Sequence, residues 1–252
     1  MPAHHVLICL PTYGEEVHVN FAFSLLDLTH AFTKADVTYE LLHVASSQIV
    51  RARNFFANYF LNNPKFTHLL FLDTDMKFPP ESVIKLLAAD KPITGVAYPF
   101  RRFNLDRTIA SDDTGLSMRD WLEKHADYTF APIVNADGDI DFRNGFAEAR
   151  HIGTGVFLAQ REAFEVTQPF TECYSPPKQY ESMIPSGKFY GFFETIEEDG
   201  VYLGEDVSFC LRARQAGLSI WALIDQTVVH YGASEVSGKY LRAMQLSGKV
   251  SS

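Results

Sequence analysis

Residues 68–76 read HLLFLDTDM, an apolar run that ends in two carboxylates. A run that is apolar on both faces is typical of a central strand in a parallel sheet. Similar runs predict further strands at His5–Leu10, Thr38–Val44 and Ile93–Tyr98, with helices between them at Glu16–Phe32, Ser47–Leu61 and Pro79–Ala89. This alternation predicts an α/β fold with a mostly parallel, Rossmann-like central sheet flanked by helices, which binds its ligands beyond the carboxyl ends of the strands.

The alternation of strand and helix patterns stops between residues 100 and 150, where we expect loops with small secondary-structure elements. Further on, the sequence predicts a strand at His151–Ala159, an irregular stretch rich in proline and aromatic residues over Thr167–Tyr202, and a helix at Gly204–Gly217 that Gly217 terminates. Short strands are expected at Ser219–Ile224 and Thr227–Tyr231. The last twenty residues are small and polar and predict a tail. Since there is no repeat or linker, one domain is expected over residues 1–252.

Composition argues against some classes of function. The 252 residues carry 22 basic and 31 acidic side chains, a formal charge of −9, which argues against broad electrostatic binding to nucleic acid. The three cysteines show neither a disulfide pattern nor metal-ligand spacing. No apolar run reaches the length of a membrane span, and the first residues do not resemble a signal peptide. We therefore expect a soluble, cytoplasmic protein.

Asp73 and Asp75, in a D-x-D pattern, follow the apolar strand directly. Carboxylates at positions i and i+2 can converge on one cation where a strand opens into a loop, and two unpaired acids there would repel each other. Mg²⁺ or Mn²⁺ is commonly held by carboxylates together with substrate phosphates. The alternative is a pair of solvated loop acids.

Arg53 falls in the middle of the apolar face of its predicted helix, while Arg51, Asn54 and Asn58 share the opposite face. A charge on the apolar face needs a partner. It would meet a phosphate or a carboxylate of residues 73–75, or else form a purely structural ion pair.

Two further features carry candidate chemistry. Glu205 and Asp206 open a helix, where acids also occur simply because they complement the helix dipole. His230 ends a short strand; an imidazole joining carboxylates would favour Mn²⁺ over Mg²⁺, although a lone histidine is commonly structural.

Taken in order, these motifs resemble the GT-A class of glycosyltransferases, closest to the family 2 type. The resemblance rests on Leu10-Pro11-Thr12-Tyr13, Arg51-Ala52-Arg53-Asn54, Phe71-Leu72-Asp73-Thr74-Asp75-Met76, Gly153-Thr154-Gly155, Leu203-Gly204-Glu205-Asp206 and His230-Tyr231-Gly232. It implies a GT-A nucleotide-diphospho-sugar transferase fold, with residues 1–100 as the nucleotide-binding half, 101–232 as the acceptor and metal half, and 233–252 as the tail.

The resemblance also implies an activity: transfer of a sugar from a nucleotide-sugar, expected to be a UDP-sugar, to an acceptor hydroxyl with inversion at the anomeric carbon. Asp206 would be the general base, with Glu205 as the competing candidate. The metal, Mn²⁺ or Mg²⁺, would be held by Asp73, Asp75 and His230. Donor binding would involve Pro11, Thr12, Tyr13, Ser46, Ser47, Arg53, Asp73, Thr74, Gly153, Thr154 and Gly155.

The sequence departs from family 2 in two places. Family 2 enzymes often carry an acidic residue after the second strand to contact the nucleotide base, but here the chain reads Val44-Ala45-Ser46-Ser47. The Q-x-x-R-W motif of processive synthases is also absent. Residues 100–150 and 167–202 match no motif and are expected on the acceptor side. The eight aromatic residues of the second segment suit a wall over a sugar, or a loop that simply covers the core. They are Phe170, Tyr174, Tyr180, Phe189, Tyr190, Phe192, Phe193 and Tyr202.

Candidate acceptors are a glycan, a lipid-linked sugar, a protein, a small molecule or a modified base. The sequence does not indicate an oligomeric state. Three rival functions remain open: a haloacid-dehalogenase-type phosphohydrolase, whose first motif resembles residues 71–75; a nucleotidyltransferase, whose glycine-rich basic loop is missing here; and a non-catalytic module that binds a sugar or nucleotide.

Overall fold

The computed structural model describes residues 4–101, 113, 115–232 and 236–249. The helices are α1 Val19–Lys34, α2 Ile49–Asn62, α3 Pro80–Ala88, α4 Met118–His125, α5 Arg161–Thr167, α6 Glu205–Gln215 and α7 Tyr240–Leu246. The strands are β1 His5–Thr12, β2 Thr38–Ala45, β3 His68–Leu72, β4 Met76–Lys77, β5 Ile93–Val96, β6 Phe130–Pro132, β7 Phe142–Arg143, β8 Phe146–Ile152, β9 Val156–Gln160, β10 Cys173–Tyr174, β11 Phe189–Tyr190, β12 Glu197–Glu198, β13 Val201–Tyr202, β14 Ile220–Leu223, β15 Val228–His230 and β16 Val236–Gly238.

One large sheet organises the chain in the order β2-β1-β3-β9-β5-β14-β8-β6, with β7 paired to β8. Strand β1 is parallel to β2 and β3, and β14 is parallel to β5. Among the described strands of this sheet, β8 and β9 run antiparallel to their neighbours. The predicted fold class, a mostly parallel sheet flanked by helices, is therefore confirmed.

The core lies on both faces of this sheet. Alternate residues of β1 point to opposite sides: Leu7 and Cys9 join the cluster that packs with α2, α5 and α6, and Ile8 joins the one that packs with α1 and α3. Every residue of β3 is buried. An apolar residue at each position of β3 is thus explained by helices covering both faces.

The strand predicted at His151–Ala159 is wrong as a single element. The chain forms two strands, β8 and β9, which lie in different places in the sheet and are separated by Gly153-Thr154-Gly155. The predicted end of the helix at Gly204–Gly217 is confirmed: α6 ends at Gln215, and Gly217 adopts a left-handed backbone with φ of +85°.

The end of the chain is not a simple tail. Residues 236–238 form β16, which pairs with β15, and α7 buries Tyr240 and Ala243. Residues 233–235 and 250–252 of the predicted tail lie outside the described residues. The sequence does not indicate these elements, because their residues are mostly small or polar and α7 buries only a narrow apolar stripe.

The segment 167–202 is held against α2 by two buried asparagines. Asn58 donates from Nδ2 to the Tyr190 carbonyl at 2.8 Å and accepts the Tyr190 N–H at 2.7 Å. Asn54 accepts the Phe193 N–H at 2.7 Å and donates to Glu194 Oε1 at 2.8 Å. Phe192 and Phe193 enter the core, so this part of the segment does cover the core.

None of the described helices has both the length and the hydropathy needed to cross a bilayer. The expected compartment stays a prediction.

Candidate active site

A cavity of about 510 Å³ opens at the edge of the sheet where β1 and β3 end. The carboxyl ends of neighbouring parallel strands meet at this edge, which is the usual ligand side of such sheets. Its lining comes from parts of the chain that are far apart in sequence: Pro11, Thr12, Tyr13, Ser46, Ser47, Ile49, Arg53, Asp73, Thr74, Asp75, Tyr98, Phe100, Arg101, Thr129, Thr154, Glu205, Asp206 and His230.

Arg53 is buried, with 3% of its surface exposed, and lies between two carboxylates. Its Nη2 donates to both oxygens of Asp73, at 3.1 and 3.2 Å, and its Nε is 3.3 Å from Glu205 Oε1. Burial alone would lower the pKa of the guanidinium, but Asp73 and Glu205 raise it, so the charge is retained. The structure thus places Arg53 beside a site carboxylate, as its position on the apolar helix face predicts.

Two guanidinium nitrogens of Arg53, Nε and Nη1, make no hydrogen bond in the described structure, although Nε keeps its ion-pair contact with Glu205. Nη1 is buried and has no hydrogen-bond partner in the described structure. A buried N–H without a partner is costly, and a guanidinium is well suited to phosphate oxygens. The arginine therefore serves the fold through Asp73 and still has a donor for an anionic ligand.

His230 is brought to Asp75 by strand pairing. Strands β4 and β15 are antiparallel, with His230 opposite Met76, and Tyr231 N donates to the Asp75 carbonyl at 2.8 Å. His230 Nε2 consequently lies 3.6 Å from Asp75 Oδ2. His230 Nδ1 is 3.0 Å from the Pro99 carbonyl, which can only accept, so Nδ1 carries a proton.

The Asp75 carboxylate also contacts Arg101, whose Nη1 lies 2.8 Å from Asp75 Oδ2. Burial raises the pKa of Asp75, but His230 and Arg101 together hold it below its usual value. The other oxygen, Oδ1, is buried without a hydrogen-bond partner in the described structure. A carboxylate that is ionised and partly unpartnered is a suitable cation ligand.

These residues fit a divalent cation shared with a ligand better than a site made by protein alone. No group of three His, Cys, Asp or Glu side chains in the described part of the chain could hold a metal by itself. Asp73 is directed to Arg53, which leaves Asp75 and His230 as the pair available. Two protein ligands completed by substrate phosphates is a common arrangement for Mg²⁺ and related ions.

Glu205 and Asp206 stand at the first turn of α6, as predicted, and both line the cavity. Glu205 faces Arg53, whereas Asp206 Oδ1 accepts the N–H of Val207 at 2.8 Å. Burial, and then the charge of Glu205, raise the pKa of Asp206. A half-buried carboxylate with a raised pKa, whose described contacts include no ion pair, is the better proton acceptor of the two.

The glycine triplet has a different place from the one expected. Thr154 lines the cavity, but Gly153 and Gly155 lie behind it, against Tyr98. A Cβ on Gly153 would lie 2.5 Å from Tyr98 Oη, and one on Gly155 would lie 2.8 Å from the same atom. The glycines make room for a buried tyrosine, whose Oη accepts the Gly155 N–H at 2.9 Å.

The remaining predicted donor residues do line the cavity. Thr12 contacts His43, with Oγ1 2.6 Å from Nε2, and Tyr13 exposes its ring at the mouth. Ser46 and Ser47 begin the turn into α2. Sequence reasoning missed Tyr98 and Arg101, which follow β5; the only sequence signal is their position after a strand end.

The sequence matches no protein-family model, and no curated protein matches it. Solved structures similar to the chain include A197 from STIV, at 17% identity over 90% of this chain and 86% of that one, with a TM-score of 0.47. They also include a Drosophila beta-1,4-galactosyltransferase 7 in complex with manganese, UDP-Gal and xylobiose, at 11% identity over 94% and 71%, with a TM-score of 0.40. The inositol-1-phosphate CTP transferase from T. maritima is 10% identical over 99% and 98%, with a TM-score of 0.38. Glycosyltransferases are thus among the similar structures, as the sequence resemblance implies. A likeness of this extent concerns the fold; the reaction has to be argued from the cavity.

Proposed function

We propose that this protein is a metal-dependent glycosyltransferase that takes a sugar from a UDP-sugar and transfers it to an acceptor hydroxyl with inversion. The observation that carries the proposal is the cavity at the strand ends, where Arg53, Asp75, His230 and Asp206 meet although they are far apart in sequence. In this proposal residues 1–100 bind the nucleotide, and residues 101–232 supply the acceptor side and His230.

Donor binding is supported by three groups that line the cavity. Arg53 Nη1 offers a buried N–H for a phosphate oxygen, and Arg101 adds a second cation at the rim of the cavity. The exposed ring of Tyr13 offers a face on which a base can stack. A nucleoside diphosphate has this combination of a flat ring and anionic oxygens.

Asp75 and His230 would hold Mn²⁺ or Mg²⁺, with the donor's phosphates completing the coordination. When bound, the cation would supply positive charge to stabilise the departing nucleoside diphosphate. Arg101 lies on Asp75 in the structure, so we propose that its guanidinium turns from the carboxylate to the phosphates when donor and cation bind.

Asp206 would accept the proton of the acceptor hydroxyl as that hydroxyl attacks the anomeric carbon. The new bond forms on the face opposite the departing phosphate, which inverts the configuration. The proton passes to Asp206 Oδ, and the electrons of the broken bond leave on the diphosphate. Glu205 is the weaker candidate because its carboxylate already neutralises Arg53.

Nucleotidyl transfer is less well supported by this chain. That reaction expels pyrophosphate from a triphosphate and needs cations around it, yet the stretch that follows β1 reads Tyr13-Gly14-Glu15-Glu16 and contains no Lys or Arg before Lys34. A non-catalytic sugar-binding module would not need a partly unpartnered carboxylate beside the cavity.

The test is release of UDP from a panel of UDP-sugars by the full chain with Mn²⁺, where water acts as a slow acceptor. We expect turnover with at least one donor, loss of turnover in EDTA, and recovery on adding Mn²⁺. Asp75→Asn should abolish turnover. Asp137→Asn, in an exposed turn that does not line the cavity, is the matched control and should keep it.

Each failure has a distinct meaning. Full turnover in EDTA would remove the metal from the proposal. Tight binding of UDP-sugar without turnover, even with acceptors present, would favour the non-catalytic module, and absence of nucleotide binding would overturn the proposed function.

A further inference from the structure

A second cavity, of about 630 Å³, adjoins the first one and shares Ser47 and Ile49 with it. It lies between the start of α2 and the segment 174–202. Tyr202 lines it and comes shortly before the first turn of α6, which carries Asp206. A ligand in this second cavity therefore lies next to the proposed reaction site. We call it the α2 cavity.

One cation and one anion line the α2 cavity. The guanidinium of Arg51 lies over the ring of Tyr180, with its Cζ 5.7 Å from the ring centroid, and its Nε is buried without a hydrogen-bond partner in the described structure. Glu194 receives one hydrogen bond from Asn54 on Oε1, which leaves Oε2 for another donor. The lining therefore offers a planar guanidinium that donates hydrogen bonds and a planar carboxylate that accepts them, and their two charges cancel.

Two tyrosines line the same cavity with exposed rings. Tyr174 is 48% exposed and Tyr202 is 74% exposed, while Phe189 of the same lining is buried. The hydroxyls of Ser47, Ser175 and Thr195 add small polar groups. Exposed aromatic faces beside paired donors and acceptors match the C–H face and the vicinal hydroxyls of a pyranose ring.

We propose that the α2 cavity binds the acceptor, and that this acceptor is a neutral saccharide whose ring packs on Tyr174 or Tyr202 and whose hydroxyls bond to Arg51 and Glu194. The assignment of this ligand as the acceptor rests on the proposed function. A phosphorylated or carboxylated ligand fits less well, since Arg51 and Glu194 already balance each other and leave the charge of such a ligand without compensation. A lipid chain fits poorly because Arg51, Glu194 and three hydroxyls would lose water without compensation.

The wall of this cavity is already in place. Asn54 and Asn58 fix the backbone of residues 190–193 to α2 through the hydrogen bonds described above, and Arg212 Nη1 donates to the Phe192 carbonyl at 3.1 Å. Glu194 directly follows this supported backbone, and Tyr174 pairs with Phe189 between β10 and β11. A preformed wall lowers the entropy cost of binding a polar ligand.

Saturation-transfer NMR on the full chain, with UDP and Mn²⁺ present, tests the proposal. The neutral probes are lactose, cellobiose and xylobiose; the charged probes are glucuronate and glucose 6-phosphate. We expect signal from at least one neutral disaccharide and weaker or no signal from the charged probes. Arg51→Gln and Tyr202→Ala should each raise the Kd of the bound disaccharide by about threefold to tenfold.

Phe23→Ala is the matched control for Tyr202→Ala, because Phe23 is also an exposed aromatic residue, at 59%, but lies on α1 and lines neither cavity. It should leave disaccharide binding unchanged. Stronger binding of the charged probes, or unaltered affinity in both Arg51→Gln and Tyr202→Ala, would overturn the proposal. If UDP binds and none of the disaccharides does, this inference is wrong while the donor site stands; if disaccharides bind and UDP does not, the proposed transferase function fails and a saccharide-binding cavity remains.

Discussion

Replacement of Arg53 by methionine isolates the contribution of the buried ion pairs. Methionine is apolar and fills the space of the arginine stem, although not that of the guanidinium, which lies 5.2 Å from the ring centroid of Phe71. The loss is electrostatic: Asp73 and Glu205, at 3.1 and 3.3 Å from Arg53, are left facing each other without a counter-charge. Removal of one partner from a buried ion pair costs about 3–5 kcal/mol. Arg53→Met should therefore lower the free energy of unfolding by that amount.

Urea unfolding followed by circular dichroism measures this loss, and Tm should fall by about 10 °C, at roughly 2–4 °C per kcal/mol for a domain of this size. Arg150→Met is the control: Arg150 is exposed on β8, and its replacement should change stability by no more than about 0.5 kcal/mol. The double variant Arg53→Met/Asp73→Asn should lose less than the sum of the two single variants, because the amide introduced at position 73 carries no charge that needs the arginine. A loss below about 1 kcal/mol for Arg53→Met, or strict additivity in the double variant, would refute this account of Arg53.

Other groups of the fold give equally direct tests. Asp206→Asn should lower turnover about 10²–10⁴-fold while UDP affinity is kept. Turnover of the wild-type protein should fall as pH drops through the raised pKa of Asp206. If Asp206→Asn is active and Glu205→Gln is inactive, the two residues exchange roles. Burial lowers the pKa of His68 from 6.5 to about 4, so the histidine takes up a proton in the unfolded chain at a higher pH than in the folded one. About 3 kcal/mol of stability should therefore be lost as pH falls from 6.5 to 4. His68→Phe should flatten that part of the curve of stability against pH, and an unchanged slope would contradict the assignment. Asn58→Ala strips two bonds from the backbone of Tyr190 and should cost about 2–4 kcal/mol and speed proteolysis within 167–202, whereas a loss no greater than that of Asn135→Ala in an exposed turn would show that the segment is held by its phenylalanines alone.

The sheet could be predicted because its strands are short and buried on both faces. Runs such as 68–72 are apolar at every position only when helices cover both sides, which is a strong local signal. The split between β8 and β9 gives no comparable signal, since Ile152 and Val156 are both apolar and the intervening glycines are also common in strands that approach another backbone. The two glycines between the strands leave room for the phenol of Tyr98, which comes far earlier in the chain, and no local pattern indicates this contact.

The residues of the candidate site also fall into two groups, those that the sequence indicates and those that only the folded chain brings together. Asp73, Asp75 and Arg53 could be identified from the sequence because a charge at a strand end or on an apolar helix face conflicts with its surroundings. Tyr98 and Arg101 conflict with nothing in their own stretch, so only the folded chain places them in the cavity. The helical period puts Asn54 and Asn58 on the face opposite the apolar one, but that polar face is buried under the backbone of residues 190–193, which no periodicity indicates.

The charges of the first cavity connect these separate elements. Four carboxylates, those of Asp73, Asp75, Glu205 and Asp206, face two arginines, Arg53 and Arg101, which leaves a formal charge of −2 when His230 is neutral. A nucleoside diphosphate adds more negative charge to a partly desolvated space, where repulsion is only weakly screened. The two charges that are missing correspond to one divalent cation. In the proposed function, Asp75 Oδ1, which is unpartnered in the described structure, and His230 Nε2 would receive this cation.

The same arithmetic separates the two cavities. The first has an excess of acids that a cation can balance, and the α2 cavity, with Arg51 against Glu194, is balanced before any ligand enters. If the two proposals hold, charge alone would direct an anionic donor with its metal to the first cavity and an uncharged acceptor to the α2 cavity, and the two would meet where Ser47 and Ile49 are shared.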